Sequence, residues 1–316
     1  MSLKPNKHRS NSTLPLFLDI PNQLIEGFSN VALSIKREDL IHPFVSGNKY
    51  RKLKYNLHQA ATENQQKLLT FGGAFSNHIA AVAAAGKMNQ LQTIGIIRGD
   101  ELANAIADNP TLRFAQECGM QFDFITREQY RNKTEAAFLA ELKQKFGSFY
   151  LIPEGGTNAL AVKGCEEILT EADADFDFIC CAVGTGGTIS GLINSAKPHQ
   201  KVLGFPALKG DFLKEEICKF ATNQHWDLVL SYHFGGYGKV TPELIAFINR
   251  FYLETGIPLD PIYTGKMVFG VIDLIQKGYF PEGSKILMIH TGGLQGIEGM
   301  NLKLKNKKSP LLIAHV

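Results

Sequence analysis

The amino-acid sequence predicts an α/β fold built on open parallel sheets. Apolar runs of strand length alternate with segments of helical periodicity over most of the 316 residues, an order that is typical of parallel α/β proteins. Three of the runs end in glycine-rich turns, with the sequences FGGAFSNH, AVGTGGTISG and IHTGG. The length corresponds to about two domains or one large α/β domain.

Seven segments are predicted to be strands of these sheets. Each is a short apolar run bounded by polar or turn-forming residues, which is typical of strands that are buried on both faces. In chain order they are residues 31–37, 67–73, 93–99, 122–126, 176–184, 201–207 and 285–293. Helices are expected between them. Because ligands gather at the carboxyl ends of parallel strands, the three glycine-rich turns are expected to line one pocket.

Composition and charge exclude several classes of protein. The 33 basic and 30 acidic residues give a net charge of +3, too balanced for a nucleic-acid-binding surface. Neither a signal peptide nor a membrane-spanning run is recognisable, and the C-terminal lysine cluster LKLKNKK is expected to be a solvated tail. The odd number of cysteines and the lack of CxxC spacing predict reduced, buried thiols in a cytoplasmic protein. These cysteines are Cys118, Cys165, Cys180, Cys181 and Cys218.

A lysine follows a flexible tripeptide at the predicted start of a helix, in the segment SGNKYRKLKY. Lys49 could belong to a solvated basic face, or it could be a reactive amine. In a dry site, desolvation and neighbouring cations lower the pKa of a lysine, and only the neutral amine condenses with an aldehyde. Arg51 and Lys52 are expected to supply the neighbouring positive charge.

The turn AVGTGGTISG lies between an apolar strand and an amphipathic helix. Its glycines allow backbone N–H groups to converge on an anion, and its threonines add hydroxyl donors, so it predicts a phosphate site. The spacing fails the GxGxxG pattern, which needs glycine at Ile189, and also the GxxxxGK[ST] pattern. A nucleotide-dependent oxidoreductase is therefore disfavoured. The alternative is a plain strand-to-helix turn.

The turn FGGAFSNH places three polar residues at the start of an alanine-rich helix. Ser76 and Asn77 both suit N-capping, but one cap is sufficient for a helix. The surplus fits a carboxylate-binding site. His78 taken alone is more typical of a structural histidine, so we expect it to have a supporting role.

In their order and spacing, these turns and the motifs SGNKYRKL, PEGGTNAL, FGGYGKVTPE and LDPIYTGK resemble the 1-aminocyclopropane-1-carboxylate deaminase and D-cysteine desulfhydrase family. The resemblance spans nearly the whole chain. It implies pyridoxal 5′-phosphate as cofactor, a two-domain tryptophan-synthase-β-like fold (fold type II) with the cofactor in the interdomain cleft, and a homodimer acting on a small amino acid. It places residues 1–51 and 154–316 in a large domain and residues 52–153 in a small one.

The resemblance also implies roles for individual residues. Lys49 would form the Schiff base with the cofactor, Asn77 would contact the ring hydroxyl, and Thr291 of HTGG would meet the pyridine nitrogen. The phosphate would be held by Lys52, Thr185, Gly186, Gly187 and Thr188. The substrate would be bordered by Ser76, Asn77, His78, Tyr237 and Tyr263, of which Ser76 and Tyr263 are catalytic candidates. For the two tyrosines, ordinary loop packing is the alternative.

Two neutral residues favour the desulfhydrase branch of the family. Deaminases typically carry Tyr-Glu where this chain has Tyr263 and Thr264, and Thr291 offers a hydroxyl to the pyridine nitrogen. A neutral partner makes the ring a weaker electron sink, which β-elimination tolerates. The expected reaction converts D-cysteine to pyruvate, ammonia and hydrogen sulfide, with Lys49 moving the Cα proton. The alternatives are a deaminase that forms 2-oxobutanoate and ammonia, and a noncatalytic cofactor-binding protein. Phe75 and Ala80 depart from the family pattern, and because Phe75 removes an amide from the expected substrate side, a more apolar or bulkier amino acid than cysteine is an alternative substrate.

Overall fold

The computed structural model describes residues 19–210 and 212–313. The strands are β1 (Asn22–Ile25), β2 (Ala32–Lys36), β3 (Lys67–Gly72), β4 (Gln92–Arg98), β5 (Met120–Ile125), β6 (Tyr150–Ile152), β7 (Phe178–Val183), β8 (Lys201–Pro206), β9 (Trp226–Leu228) and β10 (Lys285–Ile289). The helices are α1 (Asn48–Thr62), α2 (Asn77–Met88), α3 (Pro110–Glu117), α4 (Arg127–Arg131), α5 (Ala136–Phe146), α6 (Ala159–Glu166), α7 (Gly187–Ser195), α8 (Phe212–Cys218), α9 (Pro242–Thr255), α10 (Thr264–Gln276) and α11 (Gly296–Asn306).

The strands form two separate sheets. The larger sheet has the order β1-β2-β10-β7-β8-β9, in which β1 is antiparallel to β2 and the other pairs are parallel. The smaller sheet, β5-β4-β3-β6, is parallel throughout. The predicted two-domain α/β fold with open parallel sheets is confirmed, and all seven predicted strands are present. The domain boundaries at residues 52 and 153 stay a prediction.

Each sheet is covered on both faces by helices. Successive residues of β7 belong to different cores, since Cys180 packs with α9 and α10 on one face, whereas Cys181 packs with α7 on the other. The smaller sheet has α1 and α2 on one face and α5 on the other. This double coverage explains why the strands read as apolar runs and not as alternating patterns.

The chain crosses between the two sheets through α1 and returns through the segment after β6. Helix α1 packs closely on α6. The closeness is visible at Gly164, where an added Cβ atom would lie only 1.9 Å from the backbone oxygen of Arg51. At its start, Gly47 has a φ of 59° and approaches the turn after β10, where a Cβ atom on it would lie 2.0 Å from the Thr291 carbonyl oxygen. Only glycine fits at either contact. The first turn of α1 is therefore held between the two sheets.

The cysteines are all free thiols. Burial was predicted for all five, and it is wrong for Cys118, which is half-buried, and for Cys218, which is exposed. Cys218 is the last residue of α8, a surface helix that buries only one side. Within residues 19–210 and 212–313, no helix has both the length and the apolar character that crossing a membrane requires.

Candidate active site

The three glycine-rich turns converge on the first turn of α1. Asn48 donates its side-chain amide to the Thr188 hydroxyl at 2.9 Å and its backbone N–H to the Thr291 carbonyl at 3.2 Å. The turn after β10 also contacts the start of α2, since a Cβ atom on Gly293 would lie 2.7 Å from Nδ2 of Asn77. The structure thus brings the three turns together around Lys49. Asn48 makes two of these contacts, although its position before Lys49 carries no sequence signal for them.

Lys49 is half-buried at the centre of this arrangement, and its Nζ donates to Oδ1 of Asn48 at 3.0 Å. Burial, together with the smaller effect of the positive charge of Lys52, lowers the pKa of Lys49 to about 7. The negative charge of Asp260 acts in the opposite direction. A large fraction of the Lys49 amine is therefore neutral near pH 7, as a nucleophilic amine requires.

Arg51 does not have the role that was predicted for it. Its guanidinium donates two hydrogen bonds to the buried Glu38 carboxylate, at 2.8 and 2.9 Å, and one of its nitrogens lies 3.8 Å from Glu167. The positive charge of Arg51 is therefore compensated inside the protein. The prediction that it helps lower the pKa of Lys49 is wrong, and the cation that does so is Lys52.

Lys52 is a buried cation with only neutral oxygen partners. Its side chain is 2% exposed, and burial lowers its pKa. Its Nζ donates to the Gly155 carbonyl at 3.0 Å, the Thr157 hydroxyl at 3.0 Å and the Thr185 hydroxyl at 3.4 Å. No carboxylate of the described chain pairs with it. A buried charge without a counterion is costly, so this position suits an incoming anion.

The turn between β7 and α7 forms a hollow beside Lys52. Gly186 is the N-cap of α7 with a left-handed φ of 84°, and it provides no side-chain cap for the free N–H groups of the first turn. A Cβ atom on Gly187 would lie 2.8 Å from the Thr157 hydroxyl and 3.2 Å from Nζ of Lys52, so a larger residue would fill the hollow. Uncapped N–H groups, threonine hydroxyls and a buried lysine together fit a phosphate group.

The turn between β3 and α2 supplies the side chain that caps α2, the Ser76 hydroxyl. The Ser76 hydroxyl accepts hydrogen bonds from the backbone N–H groups of His78, at 3.2 Å, and Ile79, at 3.4 Å. His78 lies beneath the turn, only 2% exposed, with Nε2 at 2.8 Å from the Thr70 hydroxyl. Burial lowers the pKa of His78 well below its usual value, and the charges of Lys49 and Lys52 add to this effect. His78 is therefore neutral and occupies a supporting position.

Two tyrosines border the β7–α7 turn. The rings of Tyr237 and Tyr263 are edge to face, with centroids 6.2 Å apart, and Tyr237 is 48% exposed. The Tyr263 ring lies against Gly184, where a Cβ atom would be 3.0 Å from Cε1. Burial raises the pKa of Tyr263 well above its usual value, so its phenol stays protonated.

Asp260 is a site residue that the sequence analysis missed. This buried carboxylate accepts hydrogen bonds from the backbone N–H groups of Ile262 at 3.0 Å, Tyr263 at 3.1 Å and Thr264 at 2.7 Å. It also accepts from the Thr264 hydroxyl at 2.9 Å. Asp260 thus fixes the start of α10 and the position of Tyr263. An aspartate before proline at a helix start is a recognisable turn signal, and it could have indicated this role.

Phe75 packs against the C-terminal helix. Its ring packs against α11, where a Cβ atom on Gly299 would lie 2.6 Å from a ring carbon, and Nζ of Lys303 lies 4.1 Å from the ring centroid. The side chain thus packs between α11 and the α2 turn, and its influence on substrate choice stays a prediction. Lys303, predicted to be part of a solvated tail, is an exposed residue of α11 whose Nζ lies over this ring.

Comparisons with known proteins agree with this fold. The family model described as "Pyridoxal-phosphate dependent enzyme" matches residues 19–292. A putative 1-aminocyclopropane-1-carboxylate deaminase of Pyrococcus horikoshii is 32% identical over 83% of this chain and 84% of its own length. The bifunctional D-cysteine desulfhydrase/1-aminocyclopropane-1-carboxylate deaminase, mitochondrial, of Arabidopsis thaliana is 32% identical over 84% of this chain and 73% of its own.

A solved structure has the same architecture over nearly the whole chain. It is described as a homologue of 1-aminocyclopropane-1-carboxylate deaminase, and it superimposes with a TM-score of 0.77 at 28% identity. The match covers 93% of this chain and 94% of the other. The resemblance found in the motifs is thereby confirmed, and pyridoxal 5′-phosphate is the cofactor of this family. The chain belongs to the pyridoxal-phosphate dependent enzymes, within the family of 1-aminocyclopropane-1-carboxylate deaminases and D-cysteine desulfhydrases.

Proposed function

We propose that the protein catalyses α,β-elimination on a small amino acid, foremost D-cysteine, to give pyruvate, ammonia and hydrogen sulfide. The observation that carries the proposal is the Lys49 amine, whose pKa is lowered to about 7 and which lies between the hollow beside Lys52 and the start of α2. When bound, pyridoxal 5′-phosphate supplies an electron sink for negative charge that develops at the substrate Cα. The remaining tasks fall to residues of this chain.

The residues around the hollow fit the cofactor. Lys52 and the N–H groups and hydroxyls of the β7–α7 turn would hold the phosphate, and Lys49 would provide the covalent attachment. The phosphate ligands of the turn are Thr185, Gly186, Gly187 and Thr188. On the opposite side, Asn77 would hold the ring hydroxyl and Thr291 would meet the pyridine nitrogen.

On the substrate side, the residues bind the amino acid and move its proton. The start of α2 and the Ser76 hydroxyl would bind the substrate carboxylate, because the first turn of a helix favours a negative charge. Nζ of Lys49 would take the proton from Cα. Tyr237 and Tyr263 would close the open side against water, with the Tyr263 phenol holding its proton.

The neutral residues of the site favour elimination over opening of a cyclopropane ring. Thr264 stands where deaminases typically carry glutamate, and its hydroxyl is committed to Asp260 at 2.9 Å. Thr291 likewise brings no charge. A weak electron sink is sufficient when Cα carries a proton and thiolate is a good leaving group. The cyclopropane substrate has no Cα proton and needs stronger support of its negative charge.

Deamination of 1-aminocyclopropane-1-carboxylate is the second candidate. The observation that favours it is that the relatives from Pyrococcus horikoshii and Rhizobium rhizogenes are named as deaminases. The plant relative carries both activities in its name.

A homodimer and a cytoplasmic location complete the proposal, and the dimer can be checked by light scattering on purified protein.

A screen of D- and L-cysteine, D- and L-serine and 1-aminocyclopropane-1-carboxylate tests the proposal. We expect pyruvate and sulfide from D-cysteine at the highest kcat/KM. Formation of 2-oxobutanoate from the cyclopropane amino acid alone would favour the second candidate. No turnover of any amino acid by protein with bound cofactor would indicate a noncatalytic binding protein. As a matched pair, Thr291→Glu is expected to change the ratio of the two activities, whereas Thr291→Ser is expected to preserve it.

A further inference from the structure

The segment of residues 153–158, which connects the two sheets after β6, forms a second wall of the hollow beside Lys52. The Thr157 hydroxyl lies 2.6 Å from the Thr185 hydroxyl and accepts from Nζ of Lys52 at 3.0 Å. The Gly155 carbonyl accepts from the same Nζ at 3.0 Å. Through Lys52, this connection therefore contacts both α1 and the β7–α7 turn.

Glycines allow this wall to come close to the turn. Gly155 has a φ of 66°, and a Cβ atom on it would lie 2.8 Å from the Thr185 side chain. On the other side of the hollow, a Cβ atom on Gly187 would lie 2.8 Å from the Thr157 hydroxyl. The space in front of Gly187 is therefore bounded by Thr157 as well as by the turn itself.

The polar groups that line this space could donate hydrogen bonds to an anion, and none of them carries a negative charge. Lys52 is buried, and its three acceptors are neutral oxygens. In the contact between the hydroxyls of Thr157 and Thr185, one hydroxyl donates and the other accepts. A phosphate dianion would accept from both hydroxyls and from the lysine, and such charge-assisted hydrogen bonds are stronger than the neutral contact they replace.

We propose that Thr157 is a phosphate-binding residue supplied by the connection between the two sheets. The cofactor phosphate would then tie residues 153–158 to the β7–α7 turn, so that loading of the cofactor fixes one sheet relative to the other. The proposal rests on the proposed function for the identity of the ligand. It adds a contact from outside the glycine-rich turn, and it predicts that the phosphate, not the ring, orders the connection.

The test compares ligands with and without the phosphate. Dissociation constants of pyridoxal 5′-phosphate, pyridoxal and inorganic phosphate are measured for the wild-type protein, Thr157→Val and Thr157→Ser. We expect Thr157→Val to weaken both phosphate ligands about 10-fold, the loss of one charge-assisted hydrogen bond, and pyridoxal less than about 2-fold. Thr157→Ser keeps the hydroxyl and is expected to bind like the wild type. Thr241→Val, which removes a threonine that caps α9 by accepting from Leu244 N–H at 3.2 Å, is the control and should change none of the constants.

A second measurement follows the connection itself. Hydrogen exchange of residues 153–158 should slow when inorganic phosphate or pyridoxal 5′-phosphate binds to the wild type, and it should not slow with pyridoxal. Equal weakening of pyridoxal and its phosphate by Thr157→Val, or no weakening of either, would overturn the proposal. If the wild type bound phosphate but no pyridoxal compound, the proposed function would fail, and the phosphate constants alone would still decide the role of Thr157.

Discussion

The two glycine-rich turns that begin α7 and α2 have the same strand-to-helix geometry but opposite capping. At α7, the N-cap is Gly186 and no side chain satisfies the first N–H groups. At α2, the Ser76 hydroxyl accepts from two of them. An uncapped helix start must find its acceptors elsewhere, so the α7 turn has free N–H groups for a ligand, whereas the α2 turn already has side-chain acceptors.

This difference assigns the two turns to different partners. The α7 turn has glycines, a buried lysine and no carboxylate, which suits a permanently bound dianion. The α2 turn has an occupied cap, a neutral histidine beneath it and Asn77 facing the neighbouring turn. A weaker, exchangeable ligand such as a substrate carboxylate fits there. The experiments below test whether binding of cofactor and substrate separates along this line.

The largest effect is expected from Lys49→Ala, which removes the amine between the two turns. Turnover should fall by more than about 10³-fold, because the chain loses both its nucleophile and its proton carrier. The visible absorption of the covalently bound cofactor should disappear. If the α7 turn binds phosphate independently, pyridoxal 5′-phosphate should still bind noncovalently, as measured by equilibrium dialysis. Lys87→Ala, at the exposed end of α2, serves as control. Turnover by Lys49→Ala at a rate comparable to that of the wild type would refute the mechanism.

The second largest effect is expected from filling the hollow at the α7 turn. The methyl group of Gly187→Ala would lie 2.8 Å from the Thr157 hydroxyl, so the affinity for pyridoxal 5′-phosphate should fall by at least about 10-fold through lost hydrogen bonds. Gly73→Ala makes the same change in the α2 turn, where the nearest atom to the new methyl is 3.8 Å away. That variant should bind the cofactor within about 2-fold of the wild type. Equal losses in the two variants would erase the distinction between the turns.

Removal of the α2 cap should affect stability more than cofactor binding. Ser76→Ala leaves two N–H groups of α2 without their acceptor, which is expected to lower the free energy of unfolding by about 1 kcal/mol. Denaturant titration measures this loss. Thr241→Ala, at the start of α9, should lose a similar amount and keep its turnover, whereas Ser76→Ala should also lose turnover of D-cysteine. Unchanged kinetics in Ser76→Ala would leave Ser76 with capping as its sole role.

The smallest effect is a pH dependence of stability that originates beneath the α2 turn. Burial lowers the pKa of His78 well below its usual 6.5. As the pH falls below 6.5, His78 therefore binds a proton in the unfolded chain but stays neutral in the folded protein. The free energy of unfolding should therefore decrease on acidification, with a contribution from His78 of about 0.8 kcal/mol between pH 7.5 and pH 6. His78→Gln should remove this contribution, and His225→Gln, at an exposed position, should retain it. If the free energy of unfolding of His78→Gln depended on pH as strongly as that of the wild type, the dependence would originate from other groups.

The parts of the fold that the sequence predicted are those with local signals. All seven predicted strands are apolar runs that two layers of helices bury. The three strands that it missed, Asn22–Ile25, Tyr150–Ile152 and Trp226–Leu228, contain only three or four residues each, too few to show a periodicity. Their pairing depends on neighbours that are distant in the sequence.

The candidate site follows the same rule. The glycine-rich turns could be recognised because each follows an apolar strand, and Lys49 could be singled out because the motifs in their order resemble a known family. Thr157 could not be recognised, since its contacts to Lys52 and Thr185 join residues that lie 105 and 28 positions away in the chain. The expectation for Arg51 was wrong because the direction of its side chain is decided by a tertiary partner, the Glu38 carboxylate.

The contact between Gly164 and Arg51 has a consequence for how the enzyme can be altered. At 1.9 Å from a carbonyl oxygen, even one methyl group would push α1 outward, and the reactive lysine would shift along with the helix that carries it. A redesign of the enzyme for a bulkier amino acid should therefore keep the contact between α1 and α6 unchanged. Space for the larger substrate should be made at Tyr237 and Tyr263 instead.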